Sequence, residues 1–292
     1  MKKLKLLLVL ATVTLMAVSC DSKNDSQKHD QDKEPSSPKK AEKVLVLYYS
    51  QTGNTRTVAE EISKRIGADL EEIVMVDPYE DDYDATIKRC LKEREQGFIP
   101  DIQPVKANIS QYDVVFIGYP VWFGTYAPPV AAFLDSVDLS GKKVVPFCTF
   151  GSGGLESSVK DLEMAEPKAK ILPGYGVRAA RMDAMPAEVA QFLIAYGFMD
   201  GEYAPLEDFS ESHEVSKEES AIFDAAVKGY KMLNAKAKTV ASRSIPNGTE
   251  YLFTAVDKPR KKGKSKTPPA GDIQVYVTVT NGAEPVFTKV VR

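Results

Sequence analysis

Residues Lys43–Thr55 read KVLVLYYSQTGNT, and the fold turns on that stretch. Val44 to Tyr49 is a short apolar run rich in β-branched and aromatic residues, which favours a strand. Val44–Leu47 carries no polar interruption, so the strand is expected to be covered on both faces, as in a parallel sheet. The chemistry then changes to Ser50-Gln51-Thr52-Gly53-Asn54-Thr55, and Thr57-Val58-Ala59-Glu60-Glu61-Ile62 has helical spacing. A strand feeding a Ser/Thr/Gly turn that opens a helix makes an anion cradle. Backbone N–H groups and the hydroxyls of Ser50, Thr52 and Thr55 supply donors, and the helix dipole favours negative charge. Gly53 allows the sharp turn and close approach. No lysine follows the loop as a nucleotide-hydrolase P-loop requires, and no Gly-x-Gly-x-x-Gly is present. What remains suits a terminal phosphomonoester held without a cationic side chain. The alternative is a Ser/Thr-rich turn that only caps a helix.

Downstream, strand and helix patterns alternate. Helix Thr55–Ile66 is closed by Gly67, strand Leu70–Val76 is broken by Asp77-Pro78, and a helix follows over Ala85–Gln96. The acidic turn before it (Glu80, Asp81, Asp82, Asp84) reads either as a docking patch for a cationic redox partner or as a first helical turn favoured by the dipole. Ile99–Ser110 is irregular. Strand Tyr112–Gly118 runs into a loop, Tyr119-Pro120-Val121-Trp122-Phe123-Gly124-Thr125, before Pro128-Pro129 opens a helix through Leu134. Strand Lys143–Thr149 gives way to Phe150-Gly151-Ser152-Gly153-Gly154 and helix Leu155–Met164. A short strand, Lys170–Leu172, and helix Pro186–Tyr196 complete the series. Such alternation indicates an open parallel sheet wound on both faces. Ligands bind such sheets at the strand ends where the order reverses, so contacts should come from the loops after the first, third and fourth strands. Those are the three places where this sequence turns to Gly, Ser, Thr and aromatics.

The Ser50-x-Thr52-Gly53-x-Thr55 loop after the first strand, joined to the Pro120-x-Trp122-x-Gly124 loop, resembles flavodoxins over Lys43 to Phe198. The resemblance implies a flavodoxin-like, doubly wound, five-stranded parallel α/β sheet with FMN as cofactor. It implies cofactor contacts from Ser50, Gln51, Thr52, Gly53, Asn54 and Thr55 at the phosphate, and from Pro120, Val121, Trp122, Phe123 and Gly124 beside the isoalloxazine. Thr149, Phe150, Gly151, Ser152 and Gly153 would meet the pyrimidine edge through backbone N–H groups. In such proteins an aromatic residue of the second loop lies on one ring face, and Trp122 matches it. Phe123-Gly124 stands where the family turns a peptide toward the flavin N5, and Gly124 would lower the cost of flipping that peptide. Similar proteins often carry a histidine where Phe150 stands, so a proton-donating role there is in doubt. Trp122 also has a plain reading as a packed aromatic, and so has Phe150. The resemblance assigns no catalytic residue.

The chain of 292 residues has room for more than one domain, and its formal charge of -3 argues against a nucleic-acid binder. Lys2, Lys3 and Lys5 precede an apolar run from Leu6 to Val18, so residues 1–19 read as a signal peptide. Ala17-Val18-Ser19-Cys20 resembles a bacterial lipobox, which implies a lipid on Cys20 and an exported, membrane-anchored lipoprotein of the bacterial envelope. An ordinary signal peptide with an incidental cysteine is the alternative. Residues 20–42 are polar and lack large apolar side chains, so they read as a flexible tether. Cys90 and Cys148 read as free packing thiols, and His29 and His213 make no metal site.

Residues 199–292 are expected to form an acidic connector (Asp200–Glu214), an amphipathic helix over Lys217–Lys236 and strands over Glu250–Val256, Asp272–Thr280 and Val286–Val291. Together they read as a small α+β module, with Asn281-Gly282 as a hairpin signal. The run from Lys258 to Lys266 reads as a docking patch for an acidic carrier or anionic headgroups, or as a solvated loop tip. Three functions follow from the whole: a membrane-tethered electron carrier serving a redox partner protein or small acceptor, an FMN-dependent NAD(P)H:quinone reductase, or an envelope interaction protein with a vestigial site.

Overall fold

The computed structural model describes residues 42–230, 233–257 and 271–292. The leader, Cys20, the tether up to Ala41 and the basic run at 258–266 lie outside the described residues. Glu42–Arg292 form one compact unit.

Strand β1 (Val44–Tyr48) lies inside a parallel sheet, paired with β2 (Asp69–Glu72) on one side and β3 (Val114–Trp122) on the other. The end of β3 turns back on the two-residue β4 (Thr125–Tyr126), while its body pairs with β5 (Lys143–Phe150). Outside β5 lie two short pieces, β6 (Lys170–Ile171) and β7 (Tyr175–Arg178), both parallel to it. The order β2-β1-β3-β5-β6, with β7 also on β5, is the doubly wound arrangement expected from the alternation.

Side chains of β1 alternate between two cores. Leu45, Leu47 and Tyr49 join Val115 and Ile117 under α2 (Tyr83–Gln96), α3 (Pro128–Ser136) and α4 (Leu155–Ala165), which contribute Cys90, Phe133 and Leu162. Val46 and Tyr48 join Val114 and Phe116 under α1 (Asn54–Ile66) and α5 (Met185–Ala195), which contribute Val58, Ile62, Val189 and Leu193. Burying each aliphatic side chain stabilises the fold by about 1.5–3 kcal/mol. At Gly118 of β3 a Cβ would stand 2.1 Å from the Phe147 ring, so the glycine is what admits that ring.

Three sequence expectations about the parallel sheet are corrected by its pairing. The second strand stops at Glu72 instead of running to Val76: Val76 N–H donates to Asp101 O and Gln103 N–H to Val74 O, so the chain leaves β1 for the segment near Ile102. The third strand continues through Pro120 and Trp122, because Tyr119 and Pro120 still pair with Cys148 and Thr149. The fifth strand has a second piece, β7, after a break at Pro173-Gly174; a Cβ on Gly174 would lie 2.8 Å from Pro146 O.

The tail holds α6 (Lys217–Val227), whose Ser216 and Glu219 form a reciprocal capping box. It packs on an antiparallel sheet of β8 (His213–Glu214), β9 (Ala235–Ile245), β10 (Gly248–Asp257), β11 (Asp272–Thr280) and β12 (Val286–Val291), in the order β12-β11-β10-β9-β8. Phe223, Val240, Phe253, Val275, Val277 and Phe287 fill the core between helix and sheet. The helix expected to reach Lys236 therefore ends at Val227. Ala235–Lys238 is built from helix formers, yet it pairs with β10, and burial of Val240 outweighs local preference.

Candidate cofactor site

At the top of β1 the chain leaves the sheet through Tyr49, whose N–H donates to Gly118 O at 2.9 Å, and enters the Ser50–Thr55 turn. Gly53 takes φ +88° at the N-cap of α1, and no side chain caps the helix there. The first N–H groups of α1 thus keep their donors for a ligand, with the positive end of the dipole behind them. The Ser50 hydroxyl oxygen is buried and has no hydrogen-bond partner among the described residues. A buried, unpaired hydroxyl costs about 1–3 kcal/mol, and an anion in the cradle would remove that cost. Arg56, the nearest cation in sequence, is turned onto Glu72 at 2.7 Å and adds no charge to the turn.

The other two loops arrive at this end of the sheet. Thr55 Oγ1 and Thr149 Oγ1 are 2.8 Å apart and buried, joining the cradle to the end of β5. Trp122 stands edge-on to Tyr49, centroids 6.1 Å apart, and to Tyr79 at 5.1 Å. Phe150 is buried in the same core cluster as Tyr49, with Trp122 packed on its margin. The expected loop around Phe123-Gly124 is a tight hairpin turn: Trp122 pairs with Thr125, and Phe123 and Gly124 take φ +52° and +85°. Ser157 on α4 donates to Gly124 O at 2.5 Å, and the Arg94 guanidinium lies 4.9 Å from the exposed Phe123 ring. Gln51 accepts from the Tyr49 hydroxyl at 2.5 Å and donates to Glu80 O at 3.0 Å, which ties the cradle to the acidic turn. Within that turn Asp82 caps α2, accepting from Ala85 N–H at 2.8 Å.

Burial pushes the Tyr49 hydroxyl far up its scale. Burial, then the hydrogen bond to Glu93, does the same for Tyr79. Both phenols flanking Trp122 stay neutral, and the charges nearest them are the paired Arg89 and Glu93 behind Tyr79. Beside Trp122 and Phe123 opens a groove of about 510 Å³, walled by Phe98, Ile99 and Met164 with Arg94 at its edge. Burial also raises both the Cys90 and Cys148 thiols, and both cysteines are free.

Residues 43–195, more than half of the 292, match the family model described as Flavodoxin. The chain belongs to the flavodoxin family. Flavodoxins carry FMN at the switch point between first and third strands, the end of the sheet where Tyr49 stands against Trp122 and Thr55 against Thr149 here. FMN is accordingly the cofactor, and the orphaned Ser50 hydroxyl and uncapped helix end fit its phosphate. Among solved structures, a flavoprotein from Bacteroides eggerthii is 31% identical, covering 53% of this chain and 98% of its own, with a TM-score of 0.48. A second, from Bacteroides uniformis, is 25% identical over 51% of this chain and 98% of its own, TM-score 0.46. A flavoprotein from Lactobacillus acidophilus in complex with FMN is 27% identical over 47% of this chain and 93% of its own, TM-score 0.44.

Sequence reasoning missed Tyr79, Ser157 and Arg178. Tyr79 left only the faint signal of an aromatic in an acidic turn, and Ser157 looked like any exposed helix residue. Arg178 left none. Its Nε donates to Gly151 O at 2.8 Å and its Nη1 to Phe287 O at 2.9 Å, so it links the third loop to the tail.

Proposed function

We propose that the chain is an electron-transfer flavoprotein, held at a membrane by a lipid on Cys20, that exchanges electrons with a redox partner protein or a small acceptor. The observation that carries the reading is the Ser50 hydroxyl, buried and without a partner among the described residues, ahead of an uncapped helix end and next in sequence to Tyr49, which stands against the chain's single tryptophan. Bound FMN supplies the redox chemistry. The chain's own residues bind and orient. The Ser50 and Thr52 hydroxyls with the α1 N–H groups hold the phosphate. Trp122, steadied edge-on by Tyr49 and Tyr79, offers an apolar surface whose stacking adds about 0.5–1.5 kcal/mol to area burial. Neutral phenols and a cradle without a cationic side chain leave ring electronics to the Phe123-Gly124 peptide and the Gly151–Gly153 backbone.

A second reading, reduction of a quinone or similar acceptor by NAD(P)H, draws on the apolar groove beside Trp122. The experiment is an FMN titration of the full chain followed by its visible spectrum, with NAD(P)H and a quinone added afterwards. The carrier is expected to bind one FMN and to respond slowly to nicotinamides. Rapid bleaching with turnover would transfer the case to the reductase, and a colourless protein would end both. Membrane fractionation of Cys20→Ala tests the tether: the variant is expected in the soluble fraction, and unchanged membrane association would contradict it.

A further inference from the structure

The loop after β5 has an unusual neighbour. Val290 on β12 donates its N–H to Ser152 O at 2.6 Å. The backbones come so close that a Cβ on Gly153 would lie 2.3 Å from Val290 O. Arg178 bridges Gly151 O to Phe287 O, its guanidinium 4.7 Å from the Phe287 ring and 5.5 Å from the Tyr230 ring. Lys289 pairs with Glu156, in the first turn of α4, at 2.8 Å. β12 pairs with β11 along one side only and ends the tail's sheet, so its free edge lies against this loop.

These contacts fix more than position. A peptide unit is planar and trans, so its N–H points opposite to the C=O of the preceding residue. With the carbonyl of Gly151 held by Arg178, the N–H of Ser152 must point the other way. With the carbonyl of Ser152 held by Val290, the same is true of the N–H of Gly153. Two consecutive peptides are therefore oriented by their oxygens. The Ser152 donor is presented away from Arg178 and the Gly153 donor away from β12.

We infer that the C-terminal sheet is a working part of the cofactor site: β12 and Arg178 orient the Ser152 and Gly153 N–H donors, so FMN binding and seating of the tail are thermodynamically coupled. This rests on the FMN reading above. It gives residues 199–292 a role in positioning. Val290 and Arg178 act on the loop backbone and Lys289 on Glu156 beside it, all three as positioning residues. Because coupling is reciprocal, anything that draws the tail away loosens FMN, and FMN tightens the tail by the same factor.

The test uses the full chain with Lys289→Glu, which sets two carboxylates face to face, the reversal Glu156→Lys combined with Lys289→Glu, and Arg178→Gln. FMN affinity is measured by titration, and amide hydrogen exchange is followed at 151–154 and in β12, with and without FMN. Thermal melts confirm that each variant is folded. Lys289→Glu and Arg178→Gln are expected to weaken FMN about tenfold and to speed exchange at 151–154 in FMN-free protein. The double reversal is expected to restore both, and FMN to slow exchange in β12 of the wild type. Folded single variants that bind FMN within twofold of wild type would overturn the coupling, as would a double reversal that stays weak or β12 exchange indifferent to FMN. A wild-type chain that binds no FMN would instead overturn the function from which the coupling starts.

Discussion

Between Ser50 and Thr55 the turn is closed by bonds between residues close in sequence, and only the side chains of Gln51 and Thr55 reach distant partners, Glu80 O and Thr149 Oγ1. Thr57 Oγ1 donates to Gly53 O four positions back, and Asn54 reaches Thr52 two positions back. Between Gly151 and Gly154 the holding groups come from far along the chain. Arg178 is 27 positions from Gly151, and Lys289 is 133 positions from Glu156. Both loops sit at the same end of one sheet, yet distant groups meet only side chains in the first and hold the backbone oxygens of Gly151 and Ser152 in the second. A local turn makes its own geometry out of glycine, hydroxyls and a helix end. A loop such as Phe150–Gly154, with three glycines in five residues, fixes nothing by itself and must be held from outside.

The largest effect belongs to the first loop. Ser50→Asp places a carboxylate against the phosphate, and like charges at about 4 Å cost about 4 kcal/mol at an intermediate dielectric, close to a thousandfold. FMN titration is expected to find no binding at micromolar concentrations, while the far-ultraviolet circular dichroism stays unchanged. Ser50→Ala removes only a charge-assisted hydrogen bond worth about 1.5–3 kcal/mol, so a ten- to hundredfold loss is expected. Equal affinities for Ser50→Ala and wild type would break the contrast, because the cradle would then not be the phosphate seat.

Gly118→Ala tests the platform beneath both loops. Its methyl group meets the Phe147 ring, and overpacking of this kind costs about 1–3 kcal/mol. A fall in the melting temperature is expected, and an unchanged melt would contradict the packing. Asp82→Ala removes the cap of α2 and should cost about 1 kcal/mol in denaturant unfolding. Its FMN affinity should stay within twofold, since Asp82 acts on the helix. A large loss of affinity would mean that the acidic turn reaches the cofactor.

Acid sharpens the contrast in a different way. Burial works to raise the Glu156 carboxyl, but the Lys289 ammonium and the residue's own N–H outweigh it and leave it below its ordinary value of 4.5. A depressed carboxylate stabilises the seated tail above its unfolded pKa and loses that contribution as pH falls through the folded one. Exchange at 151–154 is therefore expected to rise, relative to the cradle, as pH drops from 5 to below the depressed value. Lys289→Gln should remove that difference. A loop whose relative protection is the same across this range in both proteins would remove the ion pair from the explanation.

What could be read in the sequence divides along the same line. The apolar run at Val44–Tyr49, the Gly67 and Gly197 helix ends and the Pro128-Pro129 helix start are local signals, and the strand–helix alternation of a doubly wound sheet follows from them. Pro120–Trp122 misled because its chemistry is that of a loop, while pairing with β5 and the return through Phe123-Gly124 make it strand. Ala235-Lys236 misled because alanine and lysine favour helix, and only the partner strand decides otherwise. The docking of β12 had no local trace at all: Val290 and Lys289 look like ordinary edge-strand residues until Ser152 and Glu156 are placed beside them.

The most direct measurement follows from there being a single tryptophan in 292 residues. Emission from Trp122 is recorded while FMN is added to the cofactor-free full chain. If Trp122 stands at the ring and Ser50 at the phosphate, emission should fall steeply to an endpoint at one FMN per chain, and Ser50→Asp should abolish the fall. Binding of FMN that leaves the emission unchanged, or quenching indifferent to Ser50→Asp, would contradict the convergence of these loops on one cofactor.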